Sequence, residues 1–290
     1  MEKLQAALKK AREMRANAPV AAGPDLGVNG AAALDARPKT QSPSISSAAQ
    51  LEKLWDELTP ISINKGRLKR RRLLTIDAGR EATPFDILRT KVLQVLEAHS
   101  WRRIAITSPA PGSGKTTISS NLAASLGRQS DLRIVLMDMD MRRPALAKAL
   151  VQSGTKSTFD VLERRTSFAE QAVRIGNNLA VSMNHTAMRD PSDLFLRQRT
   201  RDVVDEIEDT YKPDVMLFDM PPALVNDDTS AFLKNVDCVL IVVEAGISKI
   251  DEVDRCEKEL ADQTNVLGMV LNKCRHYTGG YGYYNYDGRY

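Results

Sequence analysis

An apolar run, Arg103 to Thr107, leads directly into Ser108-Pro-Ala-Pro-Gly-Ser-Gly-Lys-Thr-Thr117, and a helix-forming segment, Thr116 to Arg128, follows. A strand, a glycine turn and a helix in immediate succession gather backbone N–H groups and a positive helix N-terminus at one point, a geometry suited to phosphate oxygens. Gly112 and Gly114 allow close approach. With Pro111, Ser113 and Thr117 they form a loop that would bind ATP; Lys115 would neutralise the β and γ phosphates and the Thr116 hydroxyl would ligate Mg²⁺. The usual GxxxxGK[ST] loop has Gly six residues before the lysine, where this chain has Pro109.

From about residue 83 onward, strand-length apolar runs alternate with helical segments. Strands are expected at 133–138, 179–183, 215–219, 238–243 and 266–272, and helices at 143–151, within 192–209 and at 249–262. Continuously apolar strands alternating with helices imply a doubly wound α/β domain with a mainly parallel sheet covered on both faces. Ligands of such domains sit at the carboxyl ends of the strands.

Two of those ends carry acids. The strand Ile134 to Met137 runs into Asp138-Met-Asp140-Met-Arg142-Arg143-Pro144, and a later one ends Leu217-Phe218-Asp219-Met220-Pro221-Pro222. Residues two apart in an extended segment share a face, so Asp138 and Asp140 can address one metal–phosphate site. One lysine against three carboxylates makes a poor anion site alone, whereas Mg²⁺ between them and a triphosphate balances the charge.

The ends of the chain differ from its middle. Residues 1–72 carry 14 Lys+Arg against 7 Asp+Glu, so a basic arm precedes a slightly acidic body within a net charge of +4. Residues 17–48 are rich in Ala, Gly, Pro and Ser and cannot bury enough surface to order themselves. Leu51, Leu54, Trp55 and Leu58 share one helical face, which needs either this chain's core or a partner as cover. The cluster Lys65, Arg67, Lys69, Arg70, Arg71, Arg72 suits an anionic surface or a solvated linker equally. Six of the seven tyrosines (Tyr277, Tyr281, Tyr283, Tyr284, Tyr286 and Tyr290) fall in the last 14 residues, a skew that core packing would not produce. The division expected is an arm over 1–80, an ATP-binding domain over 81–275 and a tyrosine tail over 276–290. No apolar run reaches the roughly 20 residues of a membrane span, and the N-terminus lacks the apolar region of a signal peptide. Both point to a cytoplasmic protein. Cys238, Cys256 and Cys274 show no metal-ligand spacing and read as reduced thiols.

A phosphate loop without its first Gly, a strand into DxDxRRP, a second into DxPP and a terminal tyrosine cluster together resemble the bacterial tyrosine kinases of capsule and exopolysaccharide synthesis, the CpsD/CapB group. The resemblance covers about residues 83 to 290 and implies autophosphorylation of the tail tyrosines. It implies that Lys115 and Thr116 bind phosphate and Mg²⁺, that Asp140 and Asp219 hold the metal, and that Asp138 orients or deprotonates the tyrosine hydroxyl. Arg142 and Arg143 would meet phosphates or a neighbouring subunit, and Asn272, after the last strand, is the position for an adenine contact. It further implies a separate membrane-anchored polysaccharide copolymerase as activator, with the Leu51/Trp55 face and the basic cluster as docking elements. A phosphotyrosine phosphatase, a peripheral position at the inner membrane face and no specific nucleic acid complete the expectation. Many members carry an ExxRxxR helix that builds a ring; here the stretch is Thr83-Pro-Phe-Asp86-Ile-Leu-Arg89-Thr90, and only Arg89 matches. The alternatives are a Min/Par-type regulatory ATPase, whose extra loop lysine is replaced by Ala110, and a nonenzymatic scaffold with a binding tail.

Overall fold

The computed structural model describes residues 45–274. Its sheet has eight strands: β1 Thr59–Pro60, β2 Arg103–Thr107, β3 Ile134–Asp138, β4 Val173–Ile175, β5 Leu179–Ser182, β6 Val215–Asp219, β7 Cys238–Glu244 and β8 Asn265–Asn272. They lie in the order β1-β4-β5-β3-β6-β2-β7-β8. Every neighbouring pair is parallel except β4 with β5. The helices that matter below are α1 Ile45–Glu57, α2 Lys65–Arg70, α3 Thr83–His99, α4 Lys115–Gly127, α5 Gln198–Tyr211 and α6 Ile250–Ala261.

The central strands are apolar throughout because each supplies two cores. Val135 and Met137 of β3 and Met216 and Phe218 of β6 pack into one layer, with residues of α1, α5 and α6. Ile134, Leu136, Val215 and Leu217 point the other way and pack with α3 and α4. Alternation of side chains along a strand makes this division automatic. Helix α4 lies between the sheet and α3, so it is buried nearly all round and uses small residues to fit. Asn121 sits in this position with its amide satisfied: it donates to the carbonyls of Arg72 and Thr117 and accepts from the N–H of Leu74.

The boundary expected at residue 80 lies elsewhere. Helix α1 already belongs to the body: Trp55 and Leu58 are buried, and the Trp55 indole N–H donates to the Tyr211 carbonyl at 2.9 Å. The apolar face of α1 is therefore covered by the chain's own core and is no docking surface. The basic cluster is likewise ordered, on and just after α2, with Leu68 and Leu73 buried beneath it. Lys65 pairs with Asp77 and Lys69 with Glu81. Replacing Trp55 with Ala removes a fully packed indole and is expected to destabilise the protein by about 3–5 kcal/mol. Chemical denaturation measures this, and a loss below about 1 kcal/mol would place the indole outside the core.

Three further departures have local causes. The helix expected over 143–151 shrinks to Leu146–Ala149, because Pro144 disfavours helical geometry at Arg143. The helix within 192–209 is two helices, Pro191–Leu196 and α5, separated by Arg197 in an extended conformation (φ −69°, ψ 140°). Strands β1 and β4, two and three residues long, carry too little pattern to be read. The thiols match expectation: burial pushes Cys238 and Cys256 up to about 12, while Cys274 is exposed. Under native conditions one thiol per chain, Cys274, is expected to react rapidly with a maleimide; mass spectrometry finding modified Cys238 or Cys256 at comparable rates would contradict this.

Candidate functional site

The loop after β2 takes the nest-like shape that its glycines permit. Gly112 and Gly114 have φ of +85° and +95°, a region costly for other residues. Gly114 is also sterically fixed, since an added Cβ would lie 2.2 Å from Asn272 Nδ2. The Ser108 and Ser113 hydroxyls both donate to the Ala110 carbonyl, at 2.7 and 3.0 Å, and tighten the turn. Lys115 then opens α4 with only 7% of its surface exposed.

Strand order brings the acids to this loop. Strand β6 lies between β2 and β3, so Asp219 sits between the phosphate loop and Asp138. Asp138 and Asp219 are partners in the β3–β6 register, and both are fully buried. Asp138 accepts from the N–H groups of Asp140 (3.2 Å) and Leu146 (3.4 Å). Asp140, half-buried, accepts from the Arg143 N–H at 3.1 Å. The Asp219 oxygens differ: both are buried and neither is hydrogen-bonded among the described residues. The Thr116 and Ser119 hydroxyls are near enough to draw its pKa down. Ser119, however, donates to the Thr116 carbonyl.

The electrostatics follow from burial and crowding. Burial, then the charges of Asp219 and Asp140, hold the Asp138 carboxyl well above the usual carboxylate range. Burial is the chief cause of the rise at Asp219, to about 6, against the pull of Thr116 and Lys115. Asp140 is raised by burial and partly restored by Lys115. Burial lowers Lys115 in turn, while Asp219 and Asp140 raise it. Three carboxylates around one lysine are thus short of positive charge.

A divalent cation fits that deficit. Among the described residues no group of three or more His, Cys, Asp or Glu is placed to hold a metal alone. Mg²⁺ does not require one: it is usually bound through one or two carboxylates together with substrate phosphates. The unpartnered oxygens of Asp219, a loop with positive-φ glycines and the net negative charge are what such a shared site requires.

Two expected contacts differ. The Arg142 guanidinium donates to Asp228 at 2.7 and 3.0 Å and to the Arg189 carbonyl. It is thus held by the fully buried Asp228 rather than extended toward phosphate or a second subunit. Asn272 donates to the Ser113 carbonyl at 2.8 Å, so one of its two amide N–H donors is spent on the loop. Arg89 bonds the Ser125 carbonyl within its own chain. Asp86 closes this network: burial would raise its carboxyl, but bonds from Arg128 and Ser125 and the charges of Arg128 and Arg89 bring it below the usual range. Asp228, Glu244 and Lys273 were not visible as site residues; Lys273 had only its place after Asn272 as a signal. All six tail tyrosines lie outside the described residues.

Comparison with known proteins agrees with this geometry. The family described as the CobQ/CobB/MinD/ParA nucleotide binding domain matches residues 104–280. Tyrosine-protein kinase YwqD of Bacillus subtilis is 26% identical over 227 residues, covering 76% of this chain and 94% of its own. The putative tyrosine-protein kinase EpsB of Ralstonia solanacearum is 30% identical over 206 residues, 70% of this chain. The match spans only 27% of that longer protein. The kinase domain of the Escherichia coli tyrosine kinase ETK superposes with a TM-score of 0.63 at 25% identity, over 72% of this chain and 84% of that domain. Among the described residues no helix is long and apolar enough to cross a membrane.

Proposed function

The chain belongs to the CobQ/CobB/MinD/ParA nucleotide-binding family and, within it, to the bacterial tyrosine kinases; from that premise we propose that it is an ATP-dependent protein-tyrosine kinase that phosphorylates its own C-terminal tyrosines. The observation that carries this reading is the fully buried, unpartnered carboxylate of Asp219, placed between the phosphate loop and Asp138. A scaffold has no use for so costly a group.

In this reading the loop N–H groups and Lys115 grip the β and γ phosphates. The Thr116 hydroxyl, Asp140 and Asp219 would hold Mg²⁺, which would supply charge neutralisation between the acids and the triphosphate. The tyrosine oxygen attacks the γ phosphorus: a P–O(Tyr) bond forms, the bond from γ phosphorus to the bridging oxygen breaks, and ADP leaves. Asp138, whose raised pKa suits a proton acceptor, takes the phenolic proton. Phosphoryl transfer asks mainly for positioning and charge stabilisation, which these residues offer.

The acceptors are Tyr277, Tyr281, Tyr283, Tyr284, Tyr286 and Tyr290, in a neighbouring chain. Each phosphotyrosine adds roughly −1.5 to −2 charges, so six would turn a chain of net charge +4 distinctly negative. That charge switch would regulate polysaccharide synthesis and export through a membrane-anchored activator that completes the ATP site, and a phosphatase would reset it. Incubation with Mg-ATP and the activator, followed by phosphotyrosine detection, tests the reading. ATP hydrolysis that never labels tyrosine would favour a Min/Par-type ATPase. Mixing a Lys115→Met chain with an active, tail-deleted chain is expected to label the Lys115→Met tail; an unlabelled tail would rule out transfer between chains.

A further inference from the structure

Strand β8 ends beside the phosphate loop, and its last residue, Asn272, and the residue after it, Lys273, both bond that loop. Lys273 Nζ donates to the Gly112 carbonyl at 2.7 Å. Asn272 Nδ2 donates to the Ser113 carbonyl at 2.8 Å. Both donors are themselves fixed. Lys273 is paired with Glu244 at 3.0 Å, and Glu244 is the register partner of Asn272 across β7 and β8. The Asn272 amide oxygen accepts from the Lys273 N–H at 2.9 Å. The Asn272 carbonyl accepts from the Ala245 N–H at 2.9 Å.

The geometry of the peptide unit gives these contacts a consequence. In a trans peptide the carbonyl and the following N–H point in opposite directions, and the described residues contain no cis bonds. With the Gly112 carbonyl drawn outward to Lys273, the Ser113 N–H must point inward. With the Ser113 carbonyl drawn outward to Asn272, the Gly114 N–H must point inward as well. Neither N–H has an acceptor among the described residues. Successive inward, unpaired N–H groups are what a phosphate nest consists of. The sequence accepts strain at this clasp: Lys273 is a non-glycine residue with φ of +58°, and such outliers persist where surrounding contacts over-determine them.

We propose that Asn272 and Lys273 are positioning residues for phosphate binding, clasping the two outward carbonyls of the loop so that the Ser113 and Gly114 N–H groups stand ready for a nucleotide's phosphates. This rests on the nucleotide-binding part of the function proposed above and not on tyrosine transfer. The clasp acts through preorganisation, so its loss weakens binding without removing any group that touches the ligand.

The test uses the full chain with two probes, MgADP and magnesium pyrophosphate, followed by calorimetry. Lys273→Met and Asn272→Ala are each expected to weaken both probes about tenfold, with the melting temperature of the nucleotide-free protein unchanged. Lys273→Arg, which keeps a donor, is expected to restore most of the affinity. Pyrophosphate has no adenine. A loss at Asn272→Ala seen with MgADP alone would therefore make that residue an adenine contact and overturn the clasp. Unchanged affinity in Lys273→Met would overturn it too. If wild type binds MgADP but never labels tyrosine, the kinase reading falls while the clasp stands.

Discussion

Lys115→Met is expected to abolish tyrosine phosphorylation, with a loss of at least about 10²–10³-fold in rate. Lys115 is a cation whose charge acts on Asp219 and Asp140, and it is almost wholly buried at the start of α4. Removing it takes away the charge that would stabilise the transferring phosphoryl group. It also takes away a positive charge that draws the pKa of both Asp219 and Asp140 down, so both would hold protons more tightly. Lys115→Arg is expected to fail as well, because a planar five-donor guanidinium does not fit where a compact ammonium is enclosed. Phosphotyrosine immunoblotting reads the first effect; label retained within tenfold of wild type would remove Lys115 from the chemistry.

Asp219→Asn is expected to move activity and stability in opposite directions. The substitution takes a metal-holding oxygen from the site, and phosphorylation should fall by about 10²-fold or more. The protein without nucleotide or metal should become more stable at pH 7. Burial lifts the Asp219 pKa to about 6 from the ordinary 3.8 of an aspartate, so the folded state binds that proton more tightly than the unfolded chain. The contribution of Asp219 is least unfavourable below pH 4, and stability is lost as pH rises through about 6. At pH 7 the full penalty is present, and neutralising the group relieves about 1–3 kcal/mol of it. For a chain of this size that is a rise of roughly 2–10 °C in Tm. At pH 4 the gain should vanish. A variant less stable than wild type at pH 7 would show that the carboxylate is compensated in a way the fold does not reveal.

Much of this arrangement was legible in the sequence because its carriers are local. The phosphate loop is contiguous, and the strands carrying Asp138 and Asp219 are apolar enough to be recognised alone. What the sequence could not supply was lateral order. Nothing in the chain says that β6 lies between β2 and β3, yet that order places Asp219 next to Asp138. Arg142 illustrates the same limit. Its partner Asp228 is 86 residues away, and no periodicity joins them. The N-terminal boundary was misplaced for a compositional reason: arginines at 67 and 70–72 mask the buried Leu68 and Leu73, and the two-residue β1 gives no pattern at all. The place of Asn272 after the last strand is visible in the sequence, but only the folded loop shows what its amide bonds.

The bond from Trp55 to the Tyr211 carbonyl closes a span of 156 residues. During synthesis, α1 leaves the ribosome long before α5 exists to receive it. At about 5–20 residues per second, the wait is roughly 8–30 s. Throughout that time Leu51, Leu54, Trp55 and Leu58 form an amphipathic helix face without its cover. The first helix of the body therefore cannot complete its docking until α5 has been made, and the nascent chain carries an exposed apolar stripe while those 156 residues are added.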